Sequence, residues 1–172
     1  LAVRQGKLEE ALEHCRKVVA SEPDNVDAQL LLAGLLSSSG KEPQAAQVYE
    51  ALLKHGPDNQ EPYLYLGTLY AKQEEFQKAT AVLKKLVERY PHSVLGYYYL
   101  GQTAAAAKQL DQAETYYQKA LSLNPQSELV LLDLALVYEM QKKTTQAREV
   151  YQKALAINPR SEQVRKRLGR LY

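Results

Sequence analysis

The sequence has a single cysteine, Cys15, so no disulfide can form within the chain. No apolar run approaches the roughly 20 residues that a membrane-spanning helix needs. Neither sign of charge dominates. The 22 lysines and arginines face 20 acids, and a balance of +2 is too even to point to nucleic acid. There is no glycine-rich phosphate loop, no paired-histidine zinc motif, no paired-cysteine metal spacing and no nucleophile elbow. The expectation is therefore no catalytic residue, no metal, no cofactor, no nucleic-acid partner and no direct membrane span. The compartment stays open between cytoplasm and periplasm.

What the chain has instead is a period. Prolines stand at 23, 57, 91, 125 and 159, alanines at 11, 45, 79, 113 and 147, and leucines at 32, 66, 100, 134 and 168. Three independent columns with one 34-residue step mean an array of supersecondary units. Each proline ends a helix, because it pushes the residue before it out of the helical region. Two residues later comes Asn25, Asn59, Ser93, Ser127 or Ser161, expected to cap the next helix. The small column Ala33, Gly67, Gly101, Ala135 and Gly169 lies on the first helix of each unit and lets the second approach closely. Tyr49, Tyr117 and Tyr151 share one core site with Cys15 and Leu83. Pro43 and Pro62 fall in first turns, where proline is tolerated.

The stretch from Val94 to Pro125 shows the two helices of a unit most clearly. In the second, Leu110, Ala113, Tyr117, Ala120 and Leu121 recur at helical spacing opposite a polar face. The first, Leu95 to Ala107, is apolar almost all round. Such a helix is covered on every side or shows its spare face to a partner.

These residues resemble the tetratricopeptide repeat family. Tyr63, Leu64, Tyr65, Leu66, Gly67, Thr68, Leu69 and Tyr70, then Ala79 and Pro91, follow its pattern, as do Tyr97, Leu100, Gly101, Ala113, Tyr117, Ala120 and Pro125. The resemblance implies an all-α fold, a right-handed α-α superhelix of antiparallel helix pairs. It covers the whole chain: the C-terminal part of one repeat at 1–25, full repeats at 26–59, 60–93, 94–127 and 128–161, and a closing helix at 162–172. Gln29 and Arg165 depart from it, at places usually large and aromatic, and so does Ala104, where neighbouring units hold Tyr70 and Tyr138. The pentatricopeptide family has similar length but reads RNA through polar residues early in its first helices, where this chain has mostly leucine and tyrosine. The chain starts without methionine, so it reads as a piece of a longer protein. Leu1 to Gln5 is expected to be a frayed remnant of an inner helix, leaving apolar surface for an upstream repeat or another copy. The Gln-Ala-Ala and Lys-Ala-Leu runs and short Asn-Pro turns have a bacterial look.

The resemblance also implies that first helices line a concave groove. The residues expected to face it are Leu30, Leu31 and Gly34, then Leu64, Tyr65 and Thr68, then Leu95, Tyr98, Tyr99 and Gln102, then Leu129, Leu132, Asp133 and Leu136. The family's carboxylate clamp of lysine, asparagine and arginine is absent, its places being held by Leu30, Gly34, Tyr65, Leu95 and Tyr99. Leucine and tyrosine suit an apolar or aromatic segment of a partner protein, such as an amphipathic helix. The function expected is a non-catalytic interaction scaffold. The alternatives are a self-assembling adaptor and a substrate-positioning part of a larger enzyme.

Three further features read as structural. The histidines His14, His55 and His92 lie near helix ends or turns without a repeated carboxylate partner. His14 and Cys15 are helix neighbours, about 100° apart, and do not form a dyad. Asp133 and Glu139 have no evident polar partner and read as solvated groove lining, and Arg160, Arg165, Lys166, Arg167 and Arg170 read as a solubilising cap.

Overall fold

The 34-residue period returns as a repeated backbone turn. In the computed structural model, which describes residues 2–56 and 58–172, with side chains from Gly6 onward, the described residues form ten α-helices and no strand. They are α1 (Ala2–Ser21), α2 (Val26–Ser38), α3 (Glu42–Lys54), α4 (Glu61–Lys72) and α5 (Phe76–Arg89), then α6 (Val94–Ala106), α7 (Leu110–Leu123), α8 (Glu128–Met140), α9 (Thr144–Ile157) and α10 (Glu162–Arg170). The fold class is the expected one.

Gly40, Glu74, Lys108 and Lys142 all have positive φ, and each follows the one before by one period. Each sits just past a first helix. In the third turn, Gln109 N–H bonds to Ala104 O at 2.9 Å and Lys108 N–H to Ala105 O at 3.0 Å. The same pair of bonds recurs from Lys41 and Gly40, Glu75 and Glu74, and Lys143 and Lys142. This is a left-handed helix stop that satisfies the last carbonyls and sends the chain back. Only one of the four residues is glycine, so three side chains accept a conformation costing about 1 kcal/mol each. Gly6 stands in the same register, but α1 runs through it as helix. The expected remnant at Leu1–Gln5 lies outside the described side chains.

The caps follow the expectation in part. Asn25 accepts from Ala28 N–H at 2.9 Å and Ser93 from Gly96 N–H at 3.1 Å. Asn59 accepts from Glu61 N–H, one position early, where Pro62 occupies the second helical place. Ser127 and Ser161 make no side-chain cap bond. Their turns are closed instead by Asn124 and Asn158, which accept from Gln126 N–H and Arg160 N–H.

The chain divides inside α4 into two compact units, Leu1–Leu69 and Tyr70–Tyr172. In the first, α1 packs on α2 and α2 on α3. In the second, each helix from α5 to α10 packs on the next. Ala45, Ala79, Ala113 and Ala147 are completely buried, as are the leucines Leu66 and Leu100 to within 1%. Tyr49, Tyr117, Tyr151, Cys15 and Leu83 are all core, as their shared register implies. His14 stands in the middle of α1, exposed, with Cys15 turned inward.

Candidate protein-binding surface

Most of the exposed large apolar residues lie on first helices, Ile157 of α9 and Tyr172 being the exceptions among the described residues. In the first unit Leu31 is 57% exposed and Tyr65 49%, and both line a hollow of about 660 Å³. Its wall is α2, which contributes Leu30, Gly34, Leu35, Ser37 and Ser38. Tyr49 of α3 forms the floor, its ring 5.8 Å from that of Tyr65, and Glu61 and Asp27 stand at the rim. The structure thus brings Leu30, Leu31, Gly34 and Tyr65 together. Leu64 and Thr68 are half-buried outside the hollow, and the Thr68 hydroxyl donates to Tyr65 O.

In the second unit Leu95 is 49% exposed and Leu129 52%, while Tyr99, Leu132 and Leu136 are half-buried. Tyr98 departs from the expectation. It is 5% exposed, packed against Tyr117 and Tyr99, and belongs to the core. Three consecutive tyrosines point about 100° apart, so one of them must turn inward.

Asp133 is half-buried and, unlike the expectation, has a polar partner. Its carboxylate accepts from Gln102 Nε2 at 3.2 Å and lies close enough to the Tyr98 and Tyr117 phenols to act on both, and Gln102 Nε2 also donates to Tyr98 Oη at 2.6 Å. Glu139 likewise has partners: it accepts from the Tyr151 hydroxyl and pairs with Arg167 at 3.4 Å. Arg167 is therefore a tie from α10 to α8 and not a free charge of the cap. These contacts are invisible in sequence because every partner lies on another helix or another turn. A third polar cluster joins Glu114 to Lys143 at 2.8 Å and to the Tyr138 hydroxyl at 3.2 Å. Burial raises the Glu114 carboxyl, but its bonds to Lys143 and Gln141 outweigh that and hold it below the ordinary value.

Four core phenols are shifted up. Burial raises Tyr49 to about 12, assisted by Tyr65 and Glu61. Burial also raises Tyr98 and Tyr117, with Asp133 adding to both, and Tyr151, with Glu139 adding. The unfolded chain ionises its tyrosines near 10, before the folded one does. Their contribution is then complete below that pH and disappears as pH rises through the folded values. The urea midpoint is expected to be level between about pH 7 and 9 and to fall above about pH 10. A midpoint unchanged at about pH 11 would show that these hydroxyls are not sealed in.

Sequence reasoning missed Asp27, Glu61, Leu35, Ser37, Ser38 and the floor residue Tyr49 as lining of the hollow. The signal for the acids is in the sequence: positions 27, 61, 95 and 129 share one register, the last two being the groove-facing Leu95 and Leu129 of the sequence reading. Among the described residues no group of His, Cys, Asp or Glu is arranged to hold a metal ion, and no helix is long and apolar enough to cross a membrane.

No curated protein matches the chain. Solved structures of similar fold include MamA, residues 41 to the end, from Desulfovibrio magneticus RS-1. It is 22% identical over 93% of this chain and 90% of that one, with a TM-score of 0.79. A thermophilic TPR protein from Thermus thermophilus is 21% identical over 99% and 93%, with a TM-score of 0.73. YrrB, described as a TPR protein with an unusual peptide-binding site, is 20% identical over 98% and 86%, with a TM-score of 0.76. Helical repeat arrays of this kind serve in general as protein-interaction scaffolds. Residues 1–168 match the family described as the tetratricopeptide repeat protein 21 C-terminal ARM domain, and the chain belongs to that family of tetratricopeptide repeat proteins.

Proposed function

We propose that the chain is a non-catalytic scaffold, with repeats bounded as read from the sequence, that holds an apolar or aromatic segment of a partner protein against its first helices. The observation that carries this reading is the half-exposed Leu31 and Tyr65 around an open hollow, with Leu95 and Leu129 similarly bare in the second unit. Large apolar side chains grouped at a concavity mark a docking surface more often than a plain exterior. Tyrosine suits it, since it offers a large face and a polar tip for little rotamer entropy. The Tyr65 ring is further braced by Tyr49, which lowers the cost of fixing it on binding.

Peptides selected on the intact chain from a phage-displayed amphipathic library test the reading by calorimetric titration. Tyr65→Ala is expected to weaken the selected peptides by about 2 kcal/mol, roughly 30-fold. Peptides that bind wild type and Tyr65→Ala equally would move the site elsewhere and end the proposal.

A further inference from the structure

The hollow of the first unit has an acidic rim without counter-ions. Asp27 and Glu61 stand in the first turns of α2 and α4, one period apart, and both are exposed. A carboxylate in a first turn suits its own helix. That accounts for an acid at each place, but it leaves their charge toward the hollow uncompensated. Among the described residues neither forms an ion pair, the Glu61 carboxylate meeting only the Asn59 side-chain amide at 3.4 Å. Elsewhere some surface acids do find a lysine: Glu9 pairs with Lys41, Glu13 with Lys17 and Glu75 with Lys78. In the second unit the same register holds Leu95 and Leu129, so the position does not demand a charge.

Building on the apolar docking reading, we propose that this hollow takes an amphipathic helix carrying lysine or arginine at one edge of its apolar face. The apolar residues seat on Leu30, Leu31, Leu35 and Tyr65, and the cation reaches Asp27 and Glu61. Wall and rim together select the partner: an uncharged apolar helix leaves the two carboxylates beside a dry face, and an acidic one is repelled. The selection is local, since a net charge of +2 gives the whole chain no attraction for a basic segment. A guanidinium or ammonium between two carboxylates one repeat apart also fixes the direction in which the helix lies.

The probes are two synthetic amphipathic peptides with one leucine–phenylalanine face, one ending in a pair of lysines and the other in a pair of glutamates. Fluorescence anisotropy on the intact chain is expected to show the lysine peptide binding about tenfold tighter. The preference should shrink in high salt and vanish in the double variant Asp27→Asn/Glu61→Gln, with each single variant part-way. Tyr65→Ala should weaken both peptides. Equal binding of the two peptides to wild type, or a preference that survives the double variant, overturns the basic-helix inference while leaving the apolar site standing. Binding of neither peptide, or indifference of both to Tyr65→Ala, overturns the docking reading and this inference with it. Self-association of the chain alone that the double variant abolishes would assign the hollow to a second copy and overturn the proposal.

Discussion

Replacing Tyr117 with alanine is expected to lower stability by about 3–5 kcal/mol, the cost of emptying a large buried aromatic site. Tyr117 is 1% exposed, its ring 6.0 Å from that of Tyr98, and its hydroxyl lies near the Asp133 carboxylate. The ring fills the space beside Gly101. A midpoint loss of roughly 10 °C in thermal melts corresponds to that cost in a chain of this size. Tyr117→Phe keeps the ring and removes only the hydroxyl, so it should cost about 1–2 kcal/mol. Asp133 then still has Gln102. The difference between the variants separates ring packing from hydrogen bonding. Leu83, which holds the same register site completely buried, shows that the site needs volume before it needs a hydroxyl. An alanine variant that melts with wild type would mean that the repeats are not held by this column.

Gly101→Ala and Gly169→Ala, in one column and two periods apart, should act with opposite sign. Alanine is the better helix former by about 1 kcal/mol. At Gly169 an added methyl meets no heavy atom within 4 Å, so that gain should appear as a higher urea midpoint. At Gly101 the methyl would stand 2.5 Å from one carbon of the Tyr117 ring and 2.6 Å from another. The ring is buried against Tyr98, so either it or helix pair α6–α7 must shift. Overpacking of this kind costs about 1–3 kcal/mol and outweighs the propensity gain. If both variants shifted the midpoint upward, the close approach of α6 and α7 would not be real.

The contrast between these two glycines shows where reading the sequence stops. Its small column was legible because a 34-residue step repeats it five times. Which member of the column is tightly packed was not, since that depends on the ring facing it from another helix. The same division runs through the binding surface. Leu31, Tyr65, Leu95 and Leu129 were readable as spare apolar residues on already apolar helices. Tyr98 was not readable as core, because it differs from Tyr97 and Tyr99 only in the angle at which α7 covers it. Asp27 and Glu61 share a register with Leu95 and Leu129, but an acid in a first turn already suits its own helix, which masks a second role.

The order of amino acids alone settled the period, the all-α class, the two-helix unit and the buried alanine, leucine and tyrosine columns. Those properties follow from local spacing and from prolines and small residues that act on their own helix or turn. Tertiary structure decided the rest: the satisfied carboxylates Asp133 and Glu139, the inward turn of Tyr98, and the grouping of Asp27 and Glu61 at one hollow. Burial and pairing depend on which faces meet across helices far apart in the chain, and no single helix carries that information.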